Sequence, residues 1–133
     1  MRTFLASLLL SIALAAQAAV RVATGGVGVD EREALERDPA YNVRVIAVMQ
    51  GGQYLADVDV TIHDARGTPV VRARTNGPWL MAELPPGRYR LVADFSGVSQ
   101  IRDFTVSGPA RHEIILRWHV GDLSATTPIS PIR

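Results

Sequence analysis

His63, His112 and His119 are the residues best suited to acid–base work or metal ligation, because imidazole titrates near neutrality and binds transition metals. A zinc centre needs three or more converging ligands with supporting partners. No two of these histidines stand at ligand spacing on one expected element, and His112 and His119 fall at opposite ends of one strand. Edge positions without a metal are therefore expected. Gly25-Gly26-Val27-Gly28 could offer backbone amides to a phosphate. It brings no Lys and no following Ser or Thr, and Asp30 already sets negative charge there, so it reads as a joint into a helix. Ser96, Ser99, Ser107 and Ser124 lack the G-x-S-x-G context of a hydrolase nucleophile. Asp57, Asp59, Asp64 and Asp94 are spread along strands instead of forming a compact calcium loop. No catalytic residue, cofactor or metal ligand is assigned.

The remaining chemistry is that of an interaction face. Trp79 and Met81 project outward beside Arg88 and Arg90 if the two strands flanking Pro85-Pro86-Gly87 are neighbours, with Arg72 and Arg74 close by. Aromatic, Met and Arg side chains are the types enriched where protein surfaces meet. The competing expectation is that a helix over residues 30–38, or the C-terminal tail, covers Trp79.

The elements that must position these residues are strands. In Gly87-Arg88-Tyr89-Arg90-Leu91-Val92-Ala93-Asp94-Phe95, residues Tyr89, Leu91, Ala93 and Phe95 point one way and Arg88, Arg90, Val92 and Asp94 the other. Residues 57–64 alternate in the same manner, with Val58, Val60 and Ile62 inward. If Asp64 opposes Pro69 across the Ala65-Arg66-Gly67-Thr68 loop, Asp59 meets Arg74 and Thr61 meets Arg72, so charge and apolar pattern agree on one register. Residues 41–49 are apolar on both faces, as in a central strand. Residues 79–84 and 111–118 carry Leu80, Ala82, Leu84, Ile114, Leu116 and Trp118 inward. Residues 98–106 alternate poorly, since Ile101 breaks the parity of Val98, Phe104 and Val106, and a bulge near Arg102 or Asp103 would reconcile them. With an edge strand near residues 19–24 and a short helix capped by Asp30 and ended by Pro39, the pattern gives an all-β, antiparallel β-sandwich of about seven strands.

Ahead of it, Met1-Arg2, the apolar run from Phe4 to Ala15 and Ala16-Gln17-Ala18 are the three parts of a secretory signal peptide, read as residues 1–18. The run is shorter than the ~20 residues a spanning helix needs, so no membrane insertion is expected after cleavage. The organisation is then an N-terminal segment over 19–40, the sandwich over 41–118 and a disordered tail over 119–133, rich in Ser, Thr and Pro. The mature 115 residues, with 13 Arg against 13 Asp and Glu, carry no net charge, which speaks against nucleic acid. There is no cysteine to staple the fold or carry a lipid. A periplasmic or secreted monomer or weak oligomer is expected.

The order Tyr54-Leu55-Ala56-Asp57-Val58-Asp59-Val60-Thr61-Ile62, then Asn76-Gly77, then Leu84-Pro85-Pro86-Gly87-Arg88-Tyr89-Arg90-Leu91, resembles a carboxypeptidase regulatory-like domain of the transthyretin-like group. The resemblance runs from Val43 to Trp118 and implies a sandwich that accompanies other modules as a non-catalytic attachment. Gly25 to Glu31 is similar to the start of small uncharacterised exported proteobacterial proteins carrying such a domain alone. The hydroxyisourate hydrolases of the wider group end in Tyr-Arg-Gly-Ser. This chain ends Pro131-Ile132-Arg133, and their catalytic roles are not transferred. The functional expectation is an exported, non-catalytic module with a protein-interaction or structural role and an unidentified envelope partner. The alternatives are a small periplasmic hydrolase or transport accessory, or a carbohydrate-binding module using Trp79 and Tyr54.

Overall fold

The computed structural model describes residues 20–119 and Gly121. The expected signal segment lies outside the described residues, as does the expected tail apart from His119 and Gly121. The described elements are β1 (Val22–Gly25), α1 (Val29–Arg37), β2 (Val43–Met49), β3 (Asp59–His63), β4 (Pro69–Arg74), β5 (Trp79–Ala82), β6 (Gly87–Phe95), β7 (Val98–Val106) and β8 (His112–Trp118). They form two four-stranded sheets, ordered β1-β5-β2-β8 and β4-β3-β6-β7. The sandwich is thus observed, with eight strands.

Alternation builds the core. Val43, Leu80, Ala82, Leu116 and Trp118 from the first sheet, and Ile62, Leu91 and Ala93 from the second, are at most 1 % exposed. Each large apolar side chain so buried contributes about 1.5–3 kcal/mol. Val48 is also buried, on the outer side of β2, as expected for a central strand. The β3–β4 hairpin takes the register that its charges require, Asp59 facing Arg74 and Thr61 facing Arg72. Nearer the loop a bulge between Ile62 and His63 brings His63, in place of Asp64, opposite Pro69.

Several local expectations are corrected. β7 pairs with β6 without interruption from Phe95↔Val98 to Gly87↔Val106, so no bulge falls near Arg102 or Asp103, and Ile101 stays outside at 56 % exposure. The two strands turn at Ser96-Gly97, both at positive φ (50° and 81°), the conformation of a type I′ hairpin turn. The helix begins at Gly28, and no side chain bonds its first amides. Asp30 lies in the first turn, where its charge still favours the helix dipole. β2 and β8 run parallel, so the first sheet is mixed. Pro85-Pro86-Gly87 does not join neighbouring strands: it carries the chain from β5 in the first sheet to β6 in the second.

Candidate functional site

The outer face of the second sheet collects most of the chemistry. Outward residues on its strands fall into rows because β3–β6 and β6–β7 stay in step throughout and β4–β3 does so up to the bulge at Ile62/His63. One row is Arg74, Asp59, Asp94 and Ser99; the next is Arg72, Thr61, Val92 and Ile101; a third brings His63, Arg90 and Asp103 together; Arg88 and Thr105 follow. Within these rows, Arg74 lies 3.6 Å from both Asp57 and Asp59. Arg90 donates from Nε and Nη2 to the two Asp103 oxygens at 2.7 and 3.1 Å, a forked pairing that matches guanidinium to carboxylate. The Ser99 hydroxyl donates to Asp94 at 2.8 Å. Arg72 and Arg88 make no ion pair among the described residues.

Charge sets the ionisation here. The hydrogen bond from Arg90 holds the Asp103 carboxyl below its ordinary range and the guanidinium above its own. Burial, with the Asp64 carboxylate adding to it, pushes the Tyr89 phenol up. At the hairpin end an open depression of about 910 Å³ is lined by His63, Asp64, Arg88, Tyr89, Arg90 and Asp103, among others. Most of its polar groups are occupied. Asp64 Oδ1 accepts the Arg66 and Thr68 amides at 2.9 and 3.0 Å, and the Tyr89 hydroxyl donates to the Pro85 carbonyl. The depression keeps Arg88 without a carboxylate partner among the described residues, with His63 and the second Asp64 oxygen also on its lining.

The six residues expected to share one face are divided between two. Arg72, Arg74, Arg88 and Arg90 lie together on the second sheet, whereas Trp79 and Met81 lie on the outer side of the first. Their parity is outward as read, yet Met81 is fully buried and Trp79 only 8 % exposed. The segment from Gly26 to Asp38 accounts for this. A Cβ on Gly26 would sit 2.8 Å from Trp79 Cγ, and the Arg44 guanidinium lies 4.8 Å from the ring centre. Arg44, beside Met81 in register, bonds Glu113 and, at 3.3 Å, Glu36 of α1. Partial burial acts to lower the Arg44 pKa, but those two carboxylates outweigh it and hold it above its usual value. Arg111 ties the helix end down through the Glu36 and Asp38 carbonyls, both at 3.1 Å. The sequence offered the covering helix as an alternative, but gave no signal that Arg44 would reach across it.

The histidines do not converge. His63 borders the depression, His112 stacks on Phe104 at 5.5 Å between ring centres, and His119 is exposed beyond β8. No group of three or more His, Asp or Glu that could hold an ion occurs among the described residues. Tyr54 is 55 % exposed, with the Arg32 guanidinium 4.5 Å from its ring centre. Missed in the sequence was the exposed position of Ile101 on the outer face of the edge strand β7. An unbroken alternation from Val98 to Val106 that left one isoleucine outside was the available signal.

No family model matches this chain, and no curated protein matches it. Among solved structures, it is similar to the crystal structure of BcpA, the major pilin subunit of Bacillus cereus, at 14 % identity and a TM-score of 0.42. The alignment covers 58 % of this chain and 27 % of that one, so the chain spans about a quarter of the pilin's length.

Proposed function

We propose that this chain is an exported, non-catalytic β-sandwich module with a structural or protein-binding role in the cell envelope, and that it binds through the outer face of its second sheet. The observation that carries this reading is the contrast between the two outer faces. On the first, Trp79 and Met81 are buried beside the Arg44 network that reaches α1, and apolar exposure is confined to the β8 edge at Ile115, whereas no described element lies over the second, which keeps Arg72 and Arg88 without carboxylate partners among the described residues. Its other charged groups are engaged in local pairs and do not converge on one reacting point, which favours binding over catalysis. The charged, apolar and small-residue parts of residues 1–18 support export to the periplasm or beyond. Leu84-Pro85-Pro86-Gly87-Arg88-Tyr89, with the Tyr89 hydroxyl bonded back to Pro85, supports membership of the carboxypeptidase regulatory-like group.

Site-specific photo-crosslinking in the native cell tests the proposal. A photoreactive residue in place of Ile101 is expected to give covalent adducts, and one in place of Glu33 on α1 is expected to give none. Adducts from position 33 alone would overturn it.

A further inference from the structure

We infer that the outer face of the second sheet is self-complementary and pairs two copies of this chain face to face. The inference rests on the binding role proposed for that face and names its occupant.

Charge on the face is segregated along the strands. At the end near the β6–β7 turn, Asp57, Asp59 and Asp94 surround the single Arg74. At the end near the β3–β4 loop, Arg88 and Arg90 stand against Asp64 and Asp103, with His63 among them. Three carboxylates against one guanidinium thus lie opposite two guanidiniums against two carboxylates, so the acidic excess is confined to one end. Between the ends runs the row Arg72, Thr61, Val92 and Ile101, whose Val92 is half-buried and whose Ile101 is 56 % exposed.

A face with its excess carboxylates on one side of the Val92–Ile101 row and Arg88 and Arg90 on the other matches its own copy turned end for end. Consider a two-fold axis lying in the plane of the face, across the strands, through the Val92–Ile101 row. Such an axis makes an isologous contact in which each pairing occurs twice. Rows equally distant from it come opposite one another. Arg90 then faces the second copy's Asp94, His63 faces its Asp59, and Arg88 points toward its Asp57. Val92 and Ile101 meet their own counterparts at the axis. Like charges oppose only at Arg72, on the outer strand β4, where the side chain can swing into solvent.

The size of the face sets the strength of the contact. Four strands at ~4.8 Å spacing and about seven residues at ~3.3 Å cover roughly 450 Å² per copy, or about 900 Å² for both, in the range of weak, transient contacts. The pair is accordingly a weak, concentration-dependent dimer whose rim charges make it salt-sensitive.

Sedimentation equilibrium on the purified exported chain tests this, with circular dichroism to confirm that each variant is folded. The wild type is expected to dimerise at low ionic strength, with association weakened about tenfold or more in 0.5 M salt, where the Debye length falls to a few ångströms. Arg90→Asp and Asp94→Arg are each expected to abolish self-association, because each sets like charges against one another twice. Mixing the two variants is expected to restore a dimer, since every such contact then unites opposite charges. Ile101→Glu is expected to leave a folded monomer. A wild type that stays monomeric near 1 mM in low salt overturns the inference, as does a dimer insensitive to these substitutions or a mixture that stays monomeric. If the chain is monomeric while position 101 still forms adducts in the cell, only the self-pairing falls. If it is monomeric and position 101 forms none, the binding role of the face falls with it.

Discussion

The side-chain amide of Asn42 behaves as a piece of backbone: its Nδ2 donates to the Leu84 carbonyl at 2.8 Å and its Oδ1 accepts the Leu84 amide at 2.9 Å. It thereby extends the β2–β5 pairing beyond the last strand residue. Thr75 does similar work at the other end of the sandwich. Its hydroxyl accepts the Val58 amide at 3.0 Å while the two backbones exchange a further bond at 2.9 Å, all at buried positions. Replacing Thr75 with Val preserves shape but leaves the Val58 N–H in the core without a partner, so a loss of about 1–3 kcal/mol is expected. Denaturant unfolding measures it, and Thr75→Ser is expected to keep most of the stability. Neither role was legible beforehand, because a polar residue bonding backbone distant in sequence leaves no periodic trace. The Asp59–Arg74 opposition was legible, since both residues belong to one hairpin whose apolar positions independently fix the register.

Elements were readable where their pattern was local. Strand alternation identified the inward residues of β3, β5, β6 and β8, and the chain turns at Ser96-Gly97 and after Asn76-Gly77 as their composition indicates. Two features escaped because they depend on what an element touches. The helix N-terminus fell at Gly28 and not at Asp30, and just ahead of it the chain passes over Trp79, where a side chain on Gly26 would collide. The loop before β5 passes equally close to β1: a Cβ on Gly77 would lie 2.4 Å from the Gly25 carbonyl oxygen. That neighbour is backbone and cannot rotate away. Gly77→Ala is therefore expected to cost about 1–3 kcal/mol, as overpacking does, by displacing β1 from β5. Thermal unfolding gives the magnitude, and faster amide exchange confined first to β1 would identify the cause.

At the scale of the molecule, fold class was legible and topology was not. Alternation states that a strand has an inner face but not which sheet receives it, so the passage of the chain between sheets at Pro85-Pro86-Gly87 was invisible, and with it the separation of Trp79 from Arg88. The free edges are guarded in ways the composition hinted at. β4 begins with Pro69 and carries Arg72 and Arg74, and the Arg117 carbonyl on β8 is taken by the Gln100 side chain at 2.6 Å. The processing proposed for residues 1–18 has its own check: mass spectrometry of the protein from the native cell is expected to find Ala19 at the N-terminus. An intact Met1 would remove the support for export. The parallel pairing of β2 with β8 joins residues 43–49 to residues 112–118, about two thirds of the described length apart. As the polypeptide is synthesised, β3, β4, β6 and β7 can assemble among themselves from near neighbours, while β2, paired with β5 on one side, keeps its other edge open until the last strand emerges. Maturation is thereby timed by the arrival of Trp118, and a ribosome stalled upstream of His112 holds a half-built sandwich with one layer still unsealed.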